Sequence, residues 1–169
     1  MLRFEILKDL DLLPLVVDIY NQSIPSRKST ADTAPITVES RIDWFKLHQS
    51  KELPIFLGYD HQNQIIGWGS LNPFFVARPA YHLTKEISIY LAQNRLGLGY
   101  GQLFIDKLTD YAQKIGTQNL IGLIFQHNTT SIQLFKKNDF QLWGVLPEIA
   151  IIDGSNYSLT IYGKSLNQN

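Results

Sequence analysis

The sequence predicts an α/β fold with three layers, built as one domain over residues 1–169. Two observations carry that expectation. Helix and strand periodicities are intermixed in the order βααβββαβαββ, with no repeat, low-complexity stretch or linker between them. The chain has 169 residues, 44% apolar and 18% charged, which suits one ordinary water-facing core. A chain of this size buries roughly 70% of the surface it exposes when unfolded, so it needs no staples.

Each element has its own signal. Leu2–Leu7 alternates loosely as a first strand. Asp9 or Asp11 can cap a helix to about Gln22, with Leu12, Leu15, Val16 and Ile19 on one face and Pro14 in its early turn. Residues 23–36 read as a loop. Thr37 can cap a second helix, with Glu39 in its first turn and Ile42, Phe45 and His48 on one side. Pro54–Tyr59 and Gln64–Leu71 read as strands joined by the polar turn Asp60-His61-Gln62-Asn63. Asn72–Leu83 is irregular, and Glu86–Leu91 is the next strand. A helix follows from about Gln102 to Ile115, with Phe104, Leu108, Tyr111 and Ile115 on one face, and Gly116 ends it. Leu120–Phe125 is a short apolar strand, and a short helix covers about Thr129–Asn138. Leu142–Ile152 and Tyr157–Lys164 form a hairpin turned at Asp153-Gly154, a favoured dipeptide for that turn.

Composition excludes several function classes. Lys plus Arg and Asp plus Glu are both 15, so the chain lacks the basic excess of a general nucleic-acid binder. With no cysteine, disulfides, thiolate zinc sites and cysteine nucleophiles are excluded. His48, His61, His82 and His127 show no metal-ligand spacing and read as surface or loop residues, so no metal is expected. Trp44, Trp68 and Trp143 read as core or interface residues. The N-terminus carries acidic residues, Glu5 and Asp9, where a signal peptide is apolar, and no apolar run approaches the ~20 residues of a membrane span. The expectation is a soluble, cytoplasmic protein that binds neither membrane nor nucleic acid.

The most informative stretch runs from Glu86 to Gln102: strand, then glycines at 97, 99 and 101, then a helix start. Glycine lets the backbone come close to a ligand, and a helix start offers free N–H groups at a positive dipole end. Together they make a site for phosphate. The spacing G-x-G-x-G is not the dinucleotide fingerprint, and residues 117–123 hold no acid to take a ribose. No Gly-Lys-Ser/Thr follows, which excludes a nucleoside-triphosphate loop.

Two motifs at the right separation narrow the reading. Glu86–Gly116 resembles the acetyl-coenzyme A motif of the GCN5-related N-acetyltransferases, with Gly99 and Gly101 on its two glycines. Asn128–Phe140 resembles that family's N-x-x-S-I-x-L-[HYF]-x-K-x-G-F. The resemblance extends to the phosphinothricin and methionine sulfoximine acetyltransferases. It rests on Ile19-Tyr-Asn21, Trp44-Phe, Pro54, Ile66-Gly-Trp68, Arg78-Pro-Ala-Tyr81, Thr84-Lys-Glu86 and Ser88-Ile-Tyr90. It thus covers nearly the whole chain. Four positions depart from the pattern: Leu96 stands at the Gln/Arg position, Phe135 where many relatives have Tyr or His, Asp139 for a glycine, and Ser158 for an aspartate. Arg95 lies one residue early.

The resemblance implies a mixed, mostly antiparallel central sheet with helices on both faces. It implies acetyl-CoA as co-substrate, a small amino acid-like amine as acceptor, and a homodimer. Glu86 would be the general base. Backbone groups at Ile89, Tyr90 and Leu91 would polarise the thioester and pair with the pantetheine arm. Gly97, Leu98, Gly99, Tyr100, Gly101 and Gln102 would hold the pyrophosphate, and Asn128 would lie beside the arm. Arg78 and Tyr81 would bind the acceptor, since an arginine fork suits a carboxylate or phosphinate. The rival readings are a non-catalytic acyl-CoA-binding or sensor domain, and an acetyltransferase for a polyamine, aminoglycoside or protein N-terminus.

Overall fold

A computed structural model describes residues 2–166 of the chain. The strands are β1 (Arg3–Ile6), β2 (Ile55–Tyr59), β3 (Ile65–Pro73), β4 (Thr84–Leu91), β5 (Asn119–Phe125), β6 (Gln141–Ile152) and β7 (Ser155–Ser165). The helices are α1 (Leu13–Asn21), α2 (Ile42–Leu47), α3 (Tyr100–Lys114) and α4 (Thr129–Lys137). The strands form one sheet in the order β1-β2-β3-β4-β5-β7-β6. Every neighbouring pair is antiparallel except β4 with β5.

Alternation along the strands builds a core on each face of the sheet. On one side Ile55, Leu57 and Trp68 pack beneath Leu13, Val16, Val17, Ile19 and Tyr20 of α1 and Phe45 of α2. On the other, Phe56, Leu71, Ile87, Leu120 and Ile124 pack beneath Ile105, Leu108 and Ala112 of α3 and Phe135 of α4. The expected three layers are therefore present, with helices on both faces.

The local signals act where the sequence placed them. Asp9 caps a 3₁₀ turn ahead of α1, its carboxylate accepting from the Asp11 N–H at 2.9 Å. Thr37 Oγ1 accepts from the Ser40 N–H at 3.3 Å ahead of α2. Asp60 Oδ1 accepts from the N–H groups of Gln62 and Gln64, both at 2.9 Å, and so closes the β2–β3 turn. Asp153 and Gly154 have φ of 50° and 80°, both positive as a tight hairpin turn requires. β3 and β4 run longer than expected, to Pro73 and from Thr84, because their ladder continues through Asn72↔Glu86 and Pro73↔Lys85.

His48 corrects the sequence reading. It is not a surface residue: it is 1% exposed and closes the C-terminal end of α2. Its ring lies tilted against Trp44, centroids 4.6 Å apart, one turn earlier on the same face. His127 is half-buried, its Nε2 lying 2.7 Å from the Arg27 carbonyl. Among the described residues, no helix is long and apolar enough to cross a membrane.

Phe104 of α3 is fully buried, edge-on to Phe4 at 5.0 Å and seated over Gly58 and Gly69. Phe104→Ala removes that ring and leaves a hole that the sheet cannot close. We expect a loss of about 3–5 kcal/mol, read as a lower urea midpoint with unchanged slope.

Candidate active site

The site begins where two strands part. β4 and β5 pair only through Thr84↔Asn119, Lys85↔Leu120 and Glu86↔Ile121. Beyond that point β4 continues with β3 as far as Leu91↔Gly67, while β5 continues with β7 as far as Phe125↔Leu159. A gap opens between them just past Glu86. The Ala92 N–H donates to the Ile66 carbonyl at 2.9 Å. Backbone direction alternates along a strand, so Ser88 and Tyr90 also turn theirs to β3, while Ile89 and Leu91 face the gap. Of the three residues expected to offer backbone groups, Ile89 and Leu91 do so. Tyr90 instead lays its ring against Trp68 at 4.7 Å and Tyr20 at 4.8 Å.

The glycine loop lies past the open end of β4. Gly97 and Gly99 have φ of 75° and 80°, a region L side chains avoid, and a Cβ on either would meet open space. Gly101 has another reason: a Cβ there would come 3.1 Å from Leu134 of α4. The N–H groups of Gly97, Leu98, Gly99, Tyr100 and Gly101 donate to no acceptor among the described residues, so they stand free at the start of α3. Gln102 differs. Its N–H donates to the Gly99 carbonyl at 3.2 Å, and its side-chain amide bonds Asp106 at 2.8 Å and Asn138 at 2.6 Å. Leu96 is exposed and offers no polar contact. Arg95 is paired with the buried Asp60 carboxylate at 2.9 Å. Hydrogen bonds from Gln64 and Gln62, together with Arg95, hold that carboxyl below its usual range.

Across the gap, Asn128 caps α4. Its Oδ1 accepts from the Ser131 N–H at 3.2 Å, and its Nδ2 donates to the Lys28 carbonyl at 3.1 Å. Phe135 is a core residue, packed against Phe140 at 4.7 Å and over Gly122. Asp139 holds φ of 64°, the left-handed conformation for which glycine is otherwise the natural choice.

Glu86 shares its face of β4 with Ser88 and Tyr90, towards α1 and α2. Its side chain makes no hydrogen bond or ion pair with the described residues, and burial raises its carboxyl above the usual carboxylate range. On the same side is a shallow, narrow cleft lined by Val16, Val17, Tyr20, Ile36, Trp44 and Trp68. Arg41 stands at its edge, 4.9 Å from the Tyr20 ring and 3.7 Å from the Asp32 carboxylate. Arg41 was not among the candidates the sequence offered. Its spacing to Trp44 and His48 down one face of a helix is the signal that marks it.

Glu86, Ile89, Leu91, the glycine loop and Asn128 therefore surround one gap. Arg78 and Tyr81 stand apart, in the exposed β3–β4 connection. Arg78 precedes a 3₁₀ turn, and Tyr81 packs on Phe74 and Phe75 at 5.5 and 5.4 Å. Among the described residues, no cluster of three or more His, Asp or Glu side chains is arranged to hold a metal ion.

Known proteins share this fold. The chain is 39% identical over 155 residues to YwnH of Bacillus subtilis (strain 168), assigned by name to the phosphinothricin acetyltransferases, covering 92% of this chain and 94% of that one. A crystal structure assigned by name to the phosphinothricin N-acetyltransferases superimposes with a TM-score of 0.94 at 37% identity, covering 99% of this chain and 100% of that one. A phosphinothricin acetyltransferase from Sinorhizobium meliloti, in complex with AcCoA, shares the fold with a TM-score of 0.90 at 21% identity, over 98% and 89% of the two chains. The sequence profile of the acetyltransferase (GNAT) family matches residues 15–140. With a forked sheet, a free glycine cradle and relatives of that kind over nearly its whole length, the chain belongs to the acetyltransferase (GNAT) family.

Proposed function

We propose that the protein moves the acetyl group of acetyl-CoA to the amine of a small amino acid-like acceptor, of the phosphinothricin and methionine sulfoximine class, in a ternary complex. One observation carries this reading. The parting of β4 from β5 leaves a desolvated carboxylate, Glu86, at the fork and unpaired backbone groups, at Ile89 and Leu91, along one arm. Free N–H groups of Gly97–Gly101 lie past the end of that arm and suit a diphosphate. The similarity to the phosphinothricin relatives supports the acceptor class.

The chemistry follows from these parts. The acceptor arrives as an ammonium, since a free amine has a pKa of about 8–10. Glu86 removes a proton from it. The nitrogen lone pair attacks the thioester carbonyl carbon, whose oxygen takes a hydrogen bond from the N–H of Ile89 or Leu91. The C–N bond forms, the C–S bond breaks, and the sulfur leaves as a thiolate with a free-thiol pKa of ~8.5. Ammonium and thioester thus become amide, thiol and one released proton. The leaving group needs no acid at Phe135, which lies in the core. Asn128 flanks the pantetheine arm. Arg78 and Tyr81 meet the acceptor's acidic end when the exposed β3–β4 connection that carries them folds over the gap.

Thiol release from acetyl-CoA, measured across a panel of amines, tests this. We expect turnover with phosphinothricin and methionine sulfoximine and little with polyamines, aminoglycosides or peptides. Tight acetyl-CoA binding with no turnover on any amine would establish the non-catalytic reading instead.

Glu86→Gln separates function from stability. The rate should fall at least tenfold at neutral pH and approach the wild type at high pH, where the amine deprotonates unaided. A carboxyl raised by burial favours the folded state while it is protonated. That contribution is lost as pH rises through the folded pKa. The glutamine variant should therefore melt higher than wild type at pH 8, and the difference should vanish in acid. Thermal melts at both pH values check the sign.

We also propose a cytoplasmic homodimer, consistent with a chain that has no cysteine. β6 is an edge strand that exposes Leu142, Val145, Leu146, Ile149 and Ile151, the last at 72%. Such a row invites pairing with a second copy. Size exclusion with light scattering should give twice the chain mass, and Ile151→Lys should shift it toward monomer. A wild-type monomer at micromolar concentration would overturn this assignment.

A further inference from the structure

Two residues past Glu86, the same face of β4 carries Ser88, which the chemistry above does not use. Ser88 Oγ accepts from Asn72 Nδ2 at 3.1 Å, and that amide also reaches the Glu86 backbone carbonyl at 3.4 Å. Asn72 lies directly opposite Glu86 in the β3–β4 ladder, so both side chains share a face. Asn72 Oδ1 accepts from Ser70 Oγ at 3.3 Å and lies 2.9 Å from Nε2 of the buried His48. His48 Nδ1 lies 2.8 Å from the Trp44 carbonyl. A file of polar side chains thus runs from the end of α2 through the sheet face and stops at one hydroxyl.

Polar groups are costly in such a place unless they are bonded. Here each inner member has at least one hydrogen-bond partner, the neutral His48 donating from one of its two ring nitrogens, and the file ends on a group with bonding capacity left over. Ser88 Oγ has its proton and one lone pair unused among the described residues. Residues i and i+2 of a strand are about 6.7 Å apart. Both side chains therefore rise from one face of one strand, as neighbours between which a single nitrogen can be shared.

We propose that Ser88 is the second hydrogen-bond partner of the acceptor amine, and that Asn72 and His48 are positioning residues that hold its hydroxyl. The inference rests on Glu86 being the base. Glu86 takes the proton that the nitrogen sheds. A remaining N–H donates to Ser88 Oγ, and the lone pair is left pointing at the carbonyl carbon in the gap. Ser88 fixes the direction of attack and takes no proton.

A mutant cycle on the full-length protein tests this. Ser88→Ala should lower kcat/KM for the acceptor about tenfold, the worth of one good hydrogen bond, with KM for acetyl-CoA unchanged. Ser88→Thr, which keeps the hydroxyl, should recover most of the loss. Asn72→Ala should cost a similar factor, and the double variant no more than either single one. Wild-type rates in Ser88→Ala, or single losses that multiply in the double variant, would overturn the proposal. Ser88→Ala removes one half-buried oxygen, so it decides the matter even where Asn72→Ala folds poorly. A failure of the Glu86 reading shows separately, as a Glu86→Gln enzyme with wild-type rate whatever Ser88 does.

Discussion

The three-residue contact between β4 and β5 is the constraint on which the site depends. One parallel pair in an otherwise antiparallel sheet must be joined by a crossover, and α3 supplies it. α3 starts at the open end of the gap and ends near the closed end. Its 15 residues span about 22 Å at 1.5 Å per residue. Its buried face, Ile105, Leu108 and Ala112, anchors it on the sheet. The same helix therefore closes the fork at Thr84–Glu86 and presents its free N–H groups past the open end. Were β4 and β5 paired along their whole length, Ile89 and Leu91 would have no backbone groups to offer, and Glu86 would lie within a continuous sheet.

The two sides of the fork use charge differently. On the coenzyme side, side chains contribute little. Leu96 is apolar, and Arg95 is spent on a buried carboxylate. In the proposed function, backbone donors and the dipole of α3 would carry the anion. On the acceptor side the sheet holds an unpaired carboxyl whose charged form is disfavoured by burial. The same burial pushes the Tyr90 phenol up, with the charges of Tyr20 and Glu86 adding to it. A carboxyl raised towards neutrality is a better match to a proton carried by an amine than a solvated one, and perturbed groups of this kind gather where chemistry occurs.

Much of the fold was legible in periodicity, and the reasons for the misses are physical. Strand and helix signals depend on near neighbours in sequence, so elements emerged with errors of a few residues at their ends. Register depends on partners far apart. Nothing near Tyr90 in the sequence tells which of Ile89, Tyr90 and Leu91 turns its backbone to the gap. The Ala92–Ile66 bond decides it. Arg95 looked available because Asp60 is distant in sequence. His48 looked exposed because α2 is short and opens on a 3₁₀ turn, which blurs the helical face that buries it. The candidate residues that the structure gathers round the gap and that the sequence singled out lie in contiguous motifs: Glu86, the glycines and Asn128. The position of Asn72 beside Glu86 and Ser88 was hidden because it arises from a pairing across strands.

A sheet that parts must be tied again near its open ends, and here a loop does it. Past the fork, the residues between α1 and α2 reach both strands. The Tyr90 hydroxyl donates to the Ser29 carbonyl at 3.3 Å, next to the end of β4. His127 lies 2.7 Å from the Arg27 carbonyl and Asn128 donates to that of Lys28, just past the end of β5. Arg27 reaches on to Asp153 in the β6–β7 turn at 2.8 Å. Several of these links are hydrogen bonds to backbone carbonyls. They depend on where the loop's main chain runs, and little on which side chains the loop carries. That separates two demands on one segment. Its backbone can fix the width of the gap, while the side chains of Thr30 and Asp32 bond the hydroxyl of Tyr20, which lines the cleft on the Glu86 side. A family of enzymes that keeps one donor and varies its acceptor needs that separation.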